Sequence, residues 1–221
     1  DIMPAVVGPG TNLAPLRDEN ARDLGITRIP VVAAASHDTA AAVAAVPSSG
    51  DGWAYLSSGT WSLIGVERTT PLINDHTRDA AFTNEGGVGG TFRFLKNIIG
   101  LWLVQECRRE WADAGRRFSY AELTEMAMGA KAFAASLDPR DETFVAPGKM
   151  PDRINYKLSD GGMSEITDEG QMIRIILEGL AFVYREAIDQ IEQLTGETIR
   201  TLHIVGGGAQ NELLNRFTAS A

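Results

Sequence analysis

The chain has 221 residues, a formal net charge of −9, 44% hydrophobic and 22% charged residues, and one cysteine, Cys107. That length suits one large domain or two small ones, the acidic balance disfavours binding to a nucleic-acid backbone, and a lone thiol excludes an intrachain disulfide. No apolar run approaches the length of a membrane span and the opening residues do not read as a leader, so the expectation is a protein of the reducing cytoplasm.

In chain order, a turn-rich opening containing Val7-Gly8-Pro9-Gly10-Thr11-Asn12 leads to Val31-Val32-Ala33-Ala34-Ala35, an apolar run with the look of a short buried strand. Ser36-His37-Asp38-Thr39 follows, and Thr39 to Val46 is dominated by alanine, the best helix former. Asp38 therefore belongs at or near a helix N-cap, where its carboxylate can accept orphan amides and gains about 0.3–1 kcal/mol from the helix dipole. From this local pattern alone, the plainer reading is a capping aspartate.

Trp53-Ala54-Tyr55-Leu56 runs into Ser57-Ser58-Gly59-Thr60, and Trp61-Ser62-Leu63-Ile64-Gly65-Val66-Glu67 follows, which reads as a β-hairpin. Its hydroxyls and turn amides can donate to phosphate oxygens, and glycine permits close backbone approach. Ser and Gly also make up many ordinary exposed turns. A carboxylate at a helix mouth with a hydroxyl-and-glycine turn close behind is what moving a phosphoryl group onto an alcohol needs.

Farther on, Gly86-Gly87-Val88-Gly89-Gly90 reads as a hairpin turn or mobile ligand loop, a glycine-rich connection that Phe92 to Leu95 continue, and a helix is expected over about Lys96 to Trp111. On that helix Asn97 and Gln105, eight positions apart, would lie roughly 12 Å apart along the axis on neighbouring faces. The plainer reading makes them polar residues bordering the apolar stripe. Ser119-Tyr120-Ala121-Glu122 is a capping-box signature. Asp138 to Asp141 and Ala146 to Pro151 read as loops, and Asp160-Gly161-Gly162 as a turn. A long periodic helix starts near Thr167 and ends at Gly196.

Last come a buried strand over Thr198 to Val205, Gly206-Gly207-Gly208, and a helix capped by Asn211. Strand, glycine turn and helix make a layout suited to nucleotide contact. The G-x-G-x-x-G spacing is absent, and a Walker loop is excluded because Met150 follows Gly148-Lys149 and Thr143 stands where the first glycine belongs. His76, in a polar loop-like stretch, and His203, in a strand, lack metal-ligand spacing and read as structural.

Taken together, Ser36-His37-Asp38-Thr39-Ala40, Trp53 to Ser62, Asn84-Glu85-Gly86-Gly87, Leu95 to Leu103 and His203 to Gly208 resemble, in order along nearly the whole chain, the FGGY carbohydrate kinases. The Asn84 and Lys96 segments are more similar to the rhamnulokinase branch than to glycerol or xylulose kinases. The resemblance implies an α/β, ribonuclease-H-like fold of the actin, hexokinase and Hsp70 ATPase superfamily. Residues 1–47 would be the end of a first, sugar-binding domain, and residues 48–221 a second, nucleotide-side domain, with Pro47-Ser48-Ser49-Gly50 as the joint. These kinases are roughly twice this length and open on a phosphate hairpin that is missing here, so the expectation is a fragment lacking both ends and inactive by itself. By resemblance Asp38 is the catalytic base, His37, Thr39 and Asn97 contact the sugar, and Thr60, Gln105 and Gly207 contact ATP carried with Mg2+. The implied reaction is phosphorylation of the C1 hydroxyl of L-rhamnulose. A fuculose kinase, or a non-catalytic nucleotide- or sugar-sensing module, would keep the same fold. Partners would be a ketose and ATP, without nucleic acid or membrane, and unpaired sheet edges of such a fragment would favour self-association.

Overall fold

A computed structural model describes residues 2–35, 37–48 and 50–221. Asp1, Ser36 and Ser49, the last two belonging to the Ser-His-Asp-Thr stretch and the expected joint, lie outside the described residues.

The chain opens with β1 (Asn12–Pro15), α1 (Asp18–Asp23) and β2 (Pro30–Val32), the two strands pairing antiparallel. Val31 and Val32 are exposed rather than buried as the apolar run suggested. Two strands of four and three residues form a ribbon that covers neither of its own faces. The alanine-rich segment is α2 (Asp38–Ala44).

A five-stranded mixed sheet follows, built from β3 (Trp53–Ser58), β4 (Trp61–Arg68), β5 (Thr83–Gly86), β6 (Phe92–Ile99) and β7 (Thr201–Val205). Its order is β5-β6-β4-β3-β7, and β7 alone pairs parallel, with β3. Between β4 and β5 lies the short α3 (Asp75–Asp79), so His76 is helical and exposed rather than in a loop. Asn84 on β5 pins the preceding segment, accepting from the Leu72 amide and donating to the Leu72 carbonyl, both at 2.9 Å.

Side chains alternate across the strands. Ala54, Leu56, Ile64, Val66, Phe94 and Ile98 enter one large core with α4 (Trp102–Asp113), α5 (Tyr120–Gly129), α6 (Met150–Asp160), α7 (Glu169–Thr195) and α8 (Glu212–Ser220). On the other face, Tyr55 and Leu95 pack on Val43 of α2, flanked by Trp53 and Leu63. Capping follows the sequence signals: Ser119 and Glu122 close a reciprocal box, Asp168 starts α7 by accepting from the Gln171 amide, and Gly196 ends it at φ +74°.

Three expectations need correction. The helix foreseen over Lys96 to Trp111 begins only at Trp102, because Lys96 to Ile99 pair with Trp61 to Ile64 and extend β6. The β-branched Ile98-Ile99 favours that extension. Gly100 then turns the chain where no side chain fits, since a Cβ would lie 2.5 Å from Ser62 Oγ and 2.6 Å from the Gly59 carbonyl. Met150 and Pro151 open α6 instead of closing a loop, with Ile154 and Leu158 buried one turn apart. The strand expected from Thr198 begins at Thr201 and is a half-buried edge rather than a buried one.

Candidate functional site

The Ser-Ser-Gly-Thr turn lies at the end of the sheet where β7 also finishes. Ser58 and Ser62 face each other in register and close the turn of Gly59, Thr60 and Trp61. Backbone bonds fasten the start of α4 to it: the Gly100 and Trp102 amides donate to the Thr60 carbonyl at 3.0 and 3.2 Å, and the Leu101 amide to the Gly59 carbonyl at 2.8 Å. One helical turn later Gln105 arrives beside the hairpin, where Thr60 Oγ1 donates to Gln105 Oε1 at 3.1 Å. The expected span along one helix is therefore wrong for Asn97 and Gln105, since Asn97 is on a strand. Gln105 still reaches the turn.

The triple glycine folds onto the same corner. Gly206 adopts φ +85°, a region that favours glycine, and a Cβ there would lie 2.7 Å from the Ser58 carbonyl. A Cβ on Gly208 would collide with the buried Ser58 hydroxyl, whereas one on Gly207 would meet nothing within 4 Å. Asn211 caps α8 by accepting from the Leu214 amide at 3.0 Å. Gly207 is thus the one of the three at which a side chain would meet open space.

Thr60, Gln105 and Gly207 line one cavity of about 690 Å³. That lies within the range of small-molecule sites, roughly 300–1,000 Å³. Leu101, Val104 and Leu213 supply apolar wall, and Asn211 and Arg216 polar rim. A further wall, which the sequence reading missed, is α5, through Tyr120, Thr124 and Met128. Their spacing of four put them on one helical face, and that was the available signal. What α5 stands opposite is a matter of tertiary packing. Arg108 lies 4.6 Å over the Tyr120 ring and steadies it.

The other predicted residues stand apart from this cavity. His37, rather than Asp38, is the N-cap of α2, and its Nδ1 accepts from the Thr39 amide at 3.3 Å. Asp38 is the first helical residue, its side chain 94% exposed, with Oδ1 accepting from the Thr39 amide at 2.6 Å and lying 3.2 Å from His37 Nδ1. Asn97 is exposed on β6, opposite Leu63 in the register and on the sheet face that α2 covers. None of these four lines the cavity. His203 packs edge-on against Trp53 at 5.9 Å, in keeping with a structural role.

Residues 54–221 match the model of the C-terminal domain of the FGGY family of carbohydrate kinases. The chain belongs to that family. Among its FGGY relatives, the rhamnulokinase of Bacteroides thetaiotaomicron is 44% identical over 97% of this chain and 44% of its own length. The rhamnulokinase of Enterococcus faecalis is 40% identical over 99% of this chain and 44% of its own. The chain therefore spans less than half the length of these curated relatives. A gluconate kinase structure from Lactobacillus acidophilus superposes with a TM-score of 0.67 at 16% identity, covering 98% of this chain and 43% of that one. The likeness carries the fold, a ribonuclease-H-like α/β arrangement. Among the described residues no helix is long and apolar enough to cross a membrane.

Proposed function

We propose that this chain is the nucleotide side of a sugar kinase that transfers the terminal phosphoryl group of ATP to the C1 hydroxyl of L-rhamnulose. The observation that carries the reading is the convergence of Thr60, Gln105 and Gly207, from three separate segments, on one cavity of about 690 Å³. Gly207 offers bare backbone to a phosphate or ribose, and the Thr60 and Gln105 side chains offer donors and acceptors beside it. The rhamnulokinase names of the relatives at 40–44% identity support the choice of sugar.

In this reading residues 1–47 end the sugar-binding domain and residues 48–221 form most of the nucleotide domain. Asp38, on the exposed N-terminus of α2, receives the sugar hydroxyl in the closed enzyme. His37 and Thr39 hold the sugar beside it, and Asn97 contacts it from the strand face that α2 covers. Phosphoryl transfer passes through a loose transition state, so Asp38 mainly orients the hydroxyl and takes its proton late. Water is excluded by closing the two domains. Among the described residues no group of three or more His, Cys, Asp or Glu is placed to hold a metal. In this reading a magnesium ion would be carried mainly on the nucleotide phosphates, as magnesium commonly is in such sites. When bound, it neutralises charge on the transferring group.

The test is product formation from ATP with a panel of ketoses by the full-length kinase containing this chain. The expected result is highest kcat/KM for L-rhamnulose over L-fuculose and L-xylulose, with no turnover by the isolated 221 residues. A preference for L-fuculose would reassign the sugar, and nucleotide binding without phosphorylation of any ketose would turn the reading into a sensing module.

A further inference from the structure

Beneath the cavity, rather than in its wall, stands Tyr184 of α7, fully buried. Its hydroxyl lies 2.6 Å from Ser62 Oγ. Ser62 and Ser58, themselves buried, are the register pair that closes the hairpin turn carrying Thr60. Each serine also supports a glycine that admits no side chain: Ser62 lies under Gly100, where α4 begins, and Ser58 under Gly206 and Gly208. The three segments that deliver Thr60, Gln105 and Gly207 therefore rest on one pair of serines, tied to the helical layer by a phenol.

The chemistry of that tie is selective. Three hydroxyls lie against an apolar core, and a buried hydroxyl destabilises unless it is paired. Phenylalanine would fill the same space as Tyr184 without that demand. Ser58 Oγ is near the phenol and buried, but no partner meets hydrogen-bond geometry, so the firm bond is the one to Ser62. Burial pushes the Tyr184 phenol up to about 12, with the Ser62 and Ser58 hydroxyls opposing it. It stays a neutral hydroxyl, able to donate or to accept, across the physiological range.

We propose that Tyr184 is a positioning residue: its bond to Ser62 holds the Thr60 turn, the start of α4 and the triple-glycine loop in one arrangement, and thereby organises the cavity for its ligand. The consequence for nucleotide affinity rests on the reading of the cavity given above; the effect on the three segments does not.

The test measures amide hydrogen exchange and ADP binding by calorimetry in the full 221-residue chain. In Tyr184→Phe, exchange at residues 59–62, 100–102 and 206–209 is expected to quicken about tenfold, while amides in the middle of α6 and at the β5–β6 pairing keep their rates. The ADP dissociation constant should rise by about the same factor. Ser62→Ala removes the bond from its other end and should reproduce the pattern, which keeps the test open if Tyr184→Phe folds poorly. Unchanged exchange at the three segments in both variants, or an equal rise throughout the sheet and helices, would overturn the proposal. Quickened exchange at those segments in a chain that binds no ADP even as wild type would uphold the positioning role and sink the nucleotide reading.

Discussion

Thr60, Gln105 and Gly207 are far apart in the sequence and are brought together by backbone bonds from the hairpin turn to α4 and by glycines seated on buried serines. His37, Asp38 and Thr39 are consecutive, and their described side-chain hydrogen bonds run among themselves, with His37 and Asp38 exposed at the helix end and Thr39 buried. The first group is organised by the large core that the sheet shares with the helices. The second has local geometry from its cap, and under the proposed function it acts only once the sugar-binding domain is complete. Substitutions in the cavity should therefore be visible in the isolated chain, and substitutions at α2 only in a complete enzyme.

The largest effect should come from Asp38→Asn. If Asp38 is the base, turnover of the full-length kinase falls by about 10²–10⁴, while the thermal midpoint is nearly unchanged because the side chain is almost wholly exposed. Near-normal steady-state turnover would remove Asp38 from the mechanism and leave it a first-turn helix residue.

A paired substitution sharpens the cavity side. Gly208→Ala forces a methyl against Ser58 and should cost about 1–3 kcal/mol in urea denaturation. Gly207→Ala places its methyl in open space, so stability should change by less than about 0.5 kcal/mol while nucleotide affinity falls. Equal destabilisation by the two would contradict the division between packing glycine and ligand-facing glycine.

Smaller again is Gln105→Ala. Losing a hydrogen bond of about 0.5–1.5 kcal/mol lowers nucleotide affinity roughly 2- to 10-fold, with no matching change for the ketose. A ketose KM that moves as much as the ATP KM would place Gln105 on the wrong side of the comparison.

Next to it, Glu106 is buried and supplies a control on the same helix. The Arg109 guanidinium lowers its carboxyl from the ordinary 4.5, helped by the Gly148 amide at 2.7 Å and opposed by burial. A carboxylate depressed on folding contributes stability that is fully present above about 4.5 and is lost as pH falls through its lower folded value. Glu106→Gln should therefore be less stable than wild type at pH 7, with the gap closing below about pH 4.5. This effect should be the smallest, because Arg109 is half exposed and water screens the pair. A gap that does not vary with pH would mean packing rather than charge.

The elements foreseen in the sequence were those whose signals are local. The alternating hairpin of β3 and β4, the Ser119 capping box, the Asp168 to Gly196 span of α7 and the Asn211 cap each depend on residues within a few positions of one another. The helix foreseen from Lys96 failed because Lys96 to Ile99 pair with a strand more than thirty positions earlier, a contact with no local mark beyond Ile98-Ile99 and Gly100. Asn97 moved with that correction from helix to strand, and α5 joined the cavity for a reason equally distant in sequence.

By itself the sequence determined the chain's family resemblance, the existence of the glycine turn and the alanine helix, and the residue types offered for phosphoryl chemistry. Those properties reside in composition and short spacings, which neighbouring residues enforce through caps, turns and alternation. Only the tertiary structure decided that Thr60, Gln105 and Gly207 share a cavity, that Gly207 has room for a side chain while Gly206 and Gly208 abut Ser58, and that a phenol from α7 supports all three segments. The physical reason is close packing: which glycine has room for a side chain, and which hydroxyl finds a partner, is set by atoms that arrive from distant parts of the chain.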